Sequence, residues 1–262
     1  MNIKVLVTGA NGQLGKTIEE LFENNNDGID FMFLSKSELD ITDKDALNDV
    51  FQKNSFNYCM NCAAYTNVEQ AEKTPDIAYK INAEGVKNLA EICKEQNTIL
   101  LHISTDYVFD GTKRTPYTIS DKTNPINEYG TSKLLGEQYI QQLLKKYFII
   151  RTSWLYSKKY GKNFYKTIIE KSKTESKLSI TDSQKSCPTN TVTLARFIYN
   201  LIKKNTNHYG LYHFSDDKVM TWYDFAEQIL IENELFDKIN LVKADNYVTF
   251  AKRPEYSVLA NN

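Results

Sequence analysis

The segment NEYGTSKLLGE, residues 127–137, places Tyr129 and Lys133 four residues apart. On a helix this spacing brings both side chains to one face, so that a phenol lies beside an ammonium. A free phenol has a pKa of about 10, and a neighbouring cation favours the phenolate, so we expect Lys133 to lower the pKa of Tyr129. The pair could then exchange a proton with a substrate as a general acid or base. The alternative is two ordinary residues on a solvated helix.

A glycine-rich loop, TGANGQLG, lies between the first apolar run, IKVLVT, and a segment with helical periodicity. Gly9, Gly12 and Gly15 have the spacing GxxGxxG. Small residues let the backbone approach a pyrophosphate, whose charge is met by amides at the N-terminus of the helix. In this first strand-to-helix turn the motif predicts a dinucleotide site, although a tight turn alone could also explain the glycines.

The first half of the chain alternates between apolar runs and helical segments. Predicted strands are IKVLVTG, DFMFLS, YCMNCAA, TILLHIST and YFIIRTS, and predicted helices are QLGKTIEELFENN, DKDALNDVFQKN, PDIAYKINAEGVKNLAEICKEQ and GTSKLLGEQYIQQLL. This order predicts an α/β fold, a doubly wound, Rossmann-like parallel sheet covered on both faces. We assign residues 1–151 to a dinucleotide-binding domain, to which a later helix near 190–204 returns. Residues 152–262 are expected to form mostly a smaller C-terminal substrate lobe over the carboxyl edge of the sheet.

A second polar cluster ends the predicted strand in LLHISTDYVFDG, with Ser104, Thr105 and Asp106 in succession. Ligands of open α/β sheets bind at the carboxyl ends of the strands. Because Ser104 and Thr105 point to opposite sides of a strand, only one of the two hydroxyls should reach a substrate. The alternative is that Thr105 and Asp106 merely cap the following turn.

The end of the second strand bears on the choice of dinucleotide. Sites selective for NAD usually place a carboxylate there, on the ribose 2′-hydroxyl. Here DFMFLS ends at Ser35 and is followed by Lys36, and neither is acidic. We expect Ser35 to donate a hydrogen bond to a 2′-phosphate and Lys36 to supply positive charge. NADPH should then be used at least as well as NADH.

Composition excludes several classes of protein. The 262 residues are 41% apolar, which fits a globular chain, and the net charge of −1 argues against a nucleic-acid partner. No apolar run is long enough to span a membrane, and the opening residues contain no secretory h-region, so we predict a cytoplasmic protein. Cys59 and Cys62 lie in a buried strand pattern, which indicates core thiols rather than a metal site.

The motifs together resemble one known family. They are GANGQLG, LDITD, NCAAYTNVEQAE, INAEGVKNLA, STDYVFDG, EYGTSKLLGE, RTSWLY, PTNT and RPEYSVL, and they extend over almost the whole chain. On these residues the chain resembles the dTDP-4-dehydrorhamnose reductases of the extended short-chain dehydrogenase/reductase superfamily. The resemblance implies reduction of the C4 ketone of dTDP-4-dehydro-L-rhamnose to dTDP-L-rhamnose by NADPH or NADH, with Tyr129 as general acid.

The resemblance also implies roles for individual residues. Pyrophosphate contacts are expected from Gly9, Asn11, Gly12, Gln13 and Leu14, adenosine contacts from Asp40 and Ile41, and further cofactor contacts from Ala63, Ala64 and Tyr65. Catalysis is assigned to Thr105, Tyr129 and Lys133, of which Lys133 also holds the nicotinamide ribose. Substrate contacts are assigned to Thr105, Asp106, Trp154 and Arg253. Three residues depart from the family pattern: Ser186 and Cys187 replace Gly and Ala, and Val258 replaces an arginine.

Two other functions stay open at this point. One is a reductase or epimerase of another nucleotide-linked deoxysugar. The other is a non-catalytic, dinucleotide-binding regulatory subunit, as in methionine adenosyltransferase, whose regulatory subunit the family resembles. The joint presence of Thr105, Tyr129 and Lys133 favours an enzyme. Its expected partner is a nucleotide sugar, and the protein is expected to be a monomer or a homodimer.

Overall fold

The computed structural model describes residues 2–24, 27–244 and 248–262. Within them, six parallel strands form a central sheet in the order β10–β5–β4–β3–β1–β2. These strands are β1 Ile3–Thr8, β2 Ile29–Leu34, β3 Tyr58–Asn61, β4 Ile99–Thr105, β5 Tyr147–Thr152 and β10 Gly210–His213. The predicted doubly wound α/β fold is confirmed.

Helices cover both faces of the sheet and build the smaller lobe. They are α1 Gln13–Phe22, α2 Lys44–Lys53, α3 Val68–Lys73, α4 Pro75–Tyr79, α5 Gly85–Glu95, α6 Glu128–Leu143, α7 Phe164–Lys171, α8 Thr191–Lys203 and α9 Trp222–Glu232. Asparagine side chains cap the first turns of four of them, α3, α6, α7 and α8. Each cap accepts a hydrogen bond from an amide that the helix itself leaves unpaired.

The strands bury both faces because their apolar side chains alternate. Leu6, Cys59 and Leu100 point to the layer of α2, α5 and α6, whereas Val5, Val7 and Met60 point to the layer of α1 and α8. Continuous apolar runs of this kind are typical of parallel strands that are covered on both sides. The sequence therefore folds into two apolar layers with the sheet between them.

The chain returns to the central sheet with both a helix and a strand. Helix α8 packs on the same face as α1, and β10 adds an edge strand parallel to β5. Residues 152–262 are predicted to form mostly the smaller lobe, but Gly210–His213 within this range lies in the central sheet. The small lobe itself contains α7, α9 and the short strands β6 Leu155–Tyr156, β7 Lys177–Ile180, β8 Lys185–Ser186, β9 Thr189–Asn190, β11 Met220–Thr221 and β12 Asn240–Lys243.

The helix predicted over residues 75–96 is interrupted. A π-helical turn, Lys80–Glu84, separates α4 from α5. Its Asn82 is fully buried, and the amide side chain bonds both the backbone of Tyr65 and the hydroxyl of Ser132 on α6. Such single π turns are often found near functional sites. Here the turn fixes the segment after β3 against α6, the helix that carries Tyr129 and Lys133.

A buried ion pair joins α6 to the sheet. Arg151 on β5 and Glu137 on α6 meet at 2.7 Å with side chains only 4% and 1% exposed. Ser104 donates a further hydrogen bond to the Glu137 carboxylate. Removal of one member of a buried pair leaves an uncompensated charge, which is more damaging than loss of an exposed pair.

We therefore expect Arg151→Met to lower the free energy of unfolding by about 3–5 kcal/mol. The matched control is Arg114→Met, which removes an exposed ion pair with Glu255 and should cost about 1 kcal/mol or less. Urea denaturation of the two variants measures the difference. Equal losses would show that the buried pair does not hold α6 on the sheet.

Candidate active site

A large cleft lies at the carboxyl edge of the sheet, between the two lobes. Its volume is about 560 Å³, and it extends from the loop after β1 to the aromatic residues of the small lobe. An adjoining cavity of about 210 Å³ lies over the ends of β1 and β2. Strand order reverses between β1 and β3, and the crevice at such a switch point is where open α/β sheets bind ligands.

The glycine loop closes this switch point. Gly9 adopts a φ of +65°, and a Cβ on it would lie 2.6 Å from the amide nitrogen of Ala63, so the loops after β1 and β3 are in direct contact. Gly12 precedes α1 without a side-chain cap, which leaves the first-turn amides to a ligand. Asn11, Ala63 and Ala64, which the resemblance assigns to the cofactor, line these cavities. The uncapped amides and the small residues around them fit a pyrophosphate.

Gln13 and Leu14 also line the main cleft. The side chain of Gln13 is already engaged, because it donates to the carbonyl of Leu155 and accepts from Asn163. Both partners belong to the small lobe. Gln13 therefore ties the glycine loop to the substrate side of the cleft, a contact that spans about 140 residues of sequence and that no local pattern indicates.

At the end of β2 the structure differs from the prediction. Asp40 and Ile41 line the smaller cavity together with Lys36. Ser35 is buried outside it, and its hydroxyl and amide both donate to the carboxylate of Glu38. The assignment of Ser35 to a 2′-phosphate is therefore corrected: its hydrogen-bond donors already have an acceptor. Lys36 is the residue of this pair that faces the cavity.

Tyr129 enters the main cleft from the first turn of α6, edge-on to Tyr107. Burial raises the pKa of Tyr129 to about 12, while a hydrogen bond with the Thr105 hydroxyl acts in the opposite sense. The predicted lowering of this pKa by Lys133 is wrong, because desolvation of the phenol dominates and because Nζ of Lys133 lies against Ile103 and His102 instead. Tyr129 is thus a protonated phenol at neutral pH, which suits a general acid.

Lys133 lies one turn further along α6 and is 2% exposed. Its Nζ is 2.6 Å from the carbonyl oxygen of Ile103 and 3.2 Å from Nε2 of His102. Burial lowers the pKa of Lys133 to about 8. No sequence pattern indicates the contact with His102, which lies within an apolar strand.

Ser104 and Thr105 diverge as the alternation of a strand requires. Ser104 donates to Glu137 beneath α6, whereas Thr105 turns to the cleft and donates to the carboxylate of Asp106 at 3.1 Å. Thr105 also accepts from the amide of Tyr107, so the capping role and the position in the cleft coexist. The two hydroxyls at the end of β4 therefore have separate roles: Ser104 contacts the buried Glu137–Arg151 ion pair, and Thr105 contacts the cleft.

Asp106 is 2% exposed, and burial raises the pKa of its carboxyl to about 7. Hydroxyl donors from Thr105, Ser257 and Ser186 act against this rise. Ser186 is one of the three residues that depart from the family pattern, and it is fully buried beside Ser257. The departure thus adds a hydroxyl next to the Asp106 carboxylate instead of disrupting the loop.

Trp154 stacks on a second indole that the sequence analysis missed. The rings of Trp154 and Trp222 are parallel, with centroids 3.5 Å apart, and both line the cleft. Trp154 holds a φ of +44°, which is uncommon for a bulky residue and is kept by its surroundings. Trp222 begins α9, 68 positions later, and helical periodicity alone could not pair the two.

Arg253 and Tyr65 differ in position. Arg253 lines the main cleft while its guanidinium pairs with Glu69 at 2.8 Å. Tyr65 lies outside the cavities, and its backbone is bound on both sides by Asn82. The neighbours of Tyr65, Ala64 and Thr66, face the cleft instead. Tyr65 therefore serves to fix this loop through its main chain.

Cys62 also lines both cavities, which the sequence analysis did not foresee. Burial raises the pKa of its thiol to about 12, so it is a neutral group of the wall. Among the described residues, no three His, Cys, Asp or Glu side chains are grouped as ligands of a metal ion. No helix in these parts of the chain is long and apolar enough to cross a bilayer.

Comparisons with known proteins agree with this geometry. Residues 3–262 match the family model described as the RmlD substrate binding domain. A dTDP-4-dehydrorhamnose reductase of Aggregatibacter actinomycetemcomitans is 38% identical over 98% of this chain and 90% of its own length. The chain belongs to the dTDP-4-dehydrorhamnose reductase family. The resemblance stated from the motifs is confirmed.

Solved structures of the family have the same fold. The dTDP-4-dehydrorhamnose reductase of Bacillus anthracis str. Ames, in complex with NADP, superposes with a TM-score of 0.94 at 40% identity, covering 100% of this chain and 92% of that one. The ortholog from Clostridium acetobutylicum ATCC 824 gives a TM-score of 0.93, also at 40% identity, over 99% of this chain and 90% of its own.

The raised pKa of Asp106 predicts a dependence of stability on pH. The folded protein keeps this proton up to about pH 7, whereas the unfolded chain releases it near pH 4, so folding takes up a proton in this interval. The contribution of Asp106 to the free energy of unfolding should therefore fall between about pH 4 and 7, by at most about 1.4 kcal/mol per pH unit.

Urea denaturation of the unaltered protein and of Asp106→Asn across this range measures that contribution as a difference. The control is Asp110→Asn in the same loop. Hydrogen bonds from Thr112 and its neighbours hold the pKa of Asp110 at about 2, so its contribution should stay constant above about pH 5. A constant difference for Asp106→Asn as well would contradict the prediction.

Proposed function

We propose that the protein reduces the C4 ketone of dTDP-4-dehydro-L-rhamnose to dTDP-L-rhamnose, with NADPH or NADH as reductant. The observation that carries the proposal is the meeting of Thr105, Tyr129 and Lys133 in one cleft that continues into the glycine loop. Membership of the family supports the same reaction. A bound reduced nicotinamide supplies a hydride to a carbonyl carbon, and the residues around the cleft supply the rest.

Tyr129 provides the proton. Reduction of a ketone leaves an alkoxide, and a phenol that burial keeps protonated is the donor such an oxygen needs. Thr105, whose hydroxyl shares a hydrogen bond with Tyr129, contacts the same substrate oxygen in this proposal. Lys133 lies one turn away and holds ribose hydroxyls of the cofactor.

The outer part of the cleft suits a sugar nucleotide. The stacked indoles of Trp154 and Trp222 offer a flat apolar wall to a deoxysugar, whose methyl group and ring carbons favour such a surface. Arg253 supplies positive charge for the diphosphate, with its guanidinium oriented by Glu69. In this proposal Asp106 bonds to a sugar hydroxyl.

One relative supports a second substrate within the same chemistry. A dTDP-4-keto-6-deoxy-D-glucose reductase of Streptomyces niveus is 34% identical over the whole chain. Its name gives dTDP-4-keto-6-deoxy-D-glucose as the substrate, a 4-keto sugar that differs in configuration from dTDP-4-dehydro-L-rhamnose. The regulatory-subunit alternative loses support, since the catalytic triad of side chains shares one cleft.

An assay of NADPH oxidation separates these functions. The 4-keto sugar is made in situ by the dehydratase, with or without the 3,5-epimerase, and products are identified by NMR. Oxidation that requires the epimerase supports the rhamnose reaction. Oxidation without it supports the second substrate, and NADPH binding with no turnover on either sugar supports a regulatory subunit.

Tyr129→Phe should lower turnover by about 100- to 10,000-fold or more, because the proton donor is lost, and should leave NADPH affinity little changed. Tyr139→Phe, on the solvent side of the same helix, is the control and should keep full activity. Steady-state kinetics and NADPH titration measure both quantities. Near-normal turnover of Tyr129→Phe would exclude it as the acid.

Lys36→Ala should lower kcat/KM for NADPH relative to that for NADH, since Lys36 is the cation beside the adenosine cavity. The change should be up to about tenfold and should shrink at high salt, because an exposed lysine is screened. Lys53→Ala, an exposed lysine on α2, is the control. An unchanged ratio at low salt would mean that Lys36 does not face the 2′-phosphate.

Two further expectations, on oligomeric state and cellular location, accompany this proposal. The protein acts as a monomer or homodimer, and it acts in the cytoplasm, where nucleotide sugars and NADPH are available. Size-exclusion chromatography with light scattering and cell fractionation address these points directly.

A further inference from the structure

Three polar side chains form a row across the sheet. Thr8, Asn61 and His102 are neighbours in register on β1, β3 and β4, and each is at most 1% exposed. Thr8 donates to Asn61 at 2.8 Å, and the Asn61 amide lies 3.0 Å from Nδ1 of His102. Nε2 of His102 then faces Lys133. A hydrogen-bonded chain thus leads from β1 to the lysine of the site.

The backbone fixes the direction of this chain. The amide N–H of Ala63, which can only donate, lies 3.1 Å from Oδ1 of Asn61. Rotation of the Asn61 amide would place its NH₂ group against that donor. Nδ2 of Asn61 must therefore face His102 and donate to Nδ1. A neutral imidazole with an acceptor at Nδ1 carries its proton on Nε2, and this network assigns His102 to that tautomer.

This tautomer constrains Lys133. The Nε2–H group of His102 needs an acceptor, and an ammonium has no lone pair to offer, whereas an amine has one. An amine at Lys133 accepts from His102 and donates to the carbonyl of Ile103, so every bond is satisfied. A doubly protonated His102 is disfavoured, because burial lowers its pKa well below its usual value.

The other groups around Lys133 do not compete for this role. Glu137, one turn further along α6, favours the ammonium but is paired with Arg151. Cys62, beyond β3, and Tyr129, one turn before, both have pKa values of about 12 and stay neutral below that pH. His102 is therefore the neighbour that decides which form of Lys133 is satisfied.

We propose that His102, held as its Nε2–H tautomer by Asn61, is a positioning residue that favours the amine form of Lys133 in the free protein, so that cofactor binding takes up a proton. The proposal rests on the proposed function, in which Lys133 meets ribose hydroxyls. These hydroxyls offer acceptors, and they stabilise the ammonium once it turns from His102.

The tautomer is measured directly by two-bond ¹H–¹⁵N NMR of protein labelled with ¹⁵N-histidine. The chain has only three histidines, so the signal of His102 is identified by its loss in His102→Gln. We expect the Nε2–H pattern in the unaltered protein and the Nδ1–H pattern in Asn61→Asp, whose second carboxylate oxygen accepts from Nδ1. An Nδ1–H or imidazolium pattern in the unaltered protein overturns the proposal. An unchanged tautomer in Asn61→Asp does the same.

The coupling is measured by the dissociation constant of NADPH as a function of pH. If binding takes up a proton at Lys133, this constant should rise up to tenfold per pH unit above the pKa of the free protein. In His102→Gln the amide can turn its oxygen to the ammonium, so the rise should begin at least one pH unit higher. His213→Gln, which alters the buried histidine on β10, should leave the onset unchanged.

An onset that does not move in His102→Gln overturns the role of His102, because a merely structural residue would change affinity at every pH alike. If the protein binds NADPH but reduces neither 4-keto sugar, the proposed function fails while both measurements still decide this inference. If His102→Gln does not fold, the signal of His102 is identified as the one that remains in both His208→Gln and His213→Gln, and the tautomers of the unaltered protein and of Asn61→Asp decide the inference.

Discussion

The parallel register of β1, β3 and β4 is the constraint on which the site depends. It aligns Thr8, Asn61 and His102 in one row and leaves β4 to continue for three more residues to Thr105. Three residues of strand span roughly 10 Å. The length of β4 beyond the row therefore separates the histidine that contacts Lys133 from the hydroxyl that lies beside Tyr129. A shift of one residue in the pairing would turn both to the wrong face.

Helix α6 must match this spacing, and buried groups hold it in place. Ser104, on the opposite side of β4 from Thr105, reaches the Glu137 carboxylate, which Arg151 neutralises. A Cβ on Gly130 would lie 2.2 Å from the carbonyl oxygen of Tyr107, so the first turn of α6 rests directly on the turn after β4. Because side chains alternate along β4, Ser104 helps to hold α6 in place and the next residue, Thr105, faces the cleft.

The sequence predicted what depends on local pattern and motif. Alternating apolar runs predicted the sheet, and the spacing of Tyr129 and Lys133 predicted that both lie on one helix near the cleft. It did not predict contacts that bridge distant segments, such as Trp222 on Trp154 or β10 at the sheet edge. Ser35 failed for a related reason: the fold-back of Glu38 depends on backbone geometry, which the absence of an acidic residue at the strand end does not reveal.

The pKa of Tyr129 shows why the spacing of two residues in the sequence is not enough to predict their protonation. In water, a neighbouring ammonium would favour the phenolate form of the tyrosine. Here both Tyr129 and Lys133 are buried, and desolvation acts on each of them in the direction of the neutral form. Burial therefore keeps Tyr129 a neutral phenol and brings the pKa of Lys133 down to about 8, so that less charge is held in the cleft than an exposed pair would carry. The same burial makes an alkoxide costly there unless a proton is at hand, so the environment that holds the proton on Tyr129 also increases the drive to transfer it. Burial thus favours an acid in reduction over a base.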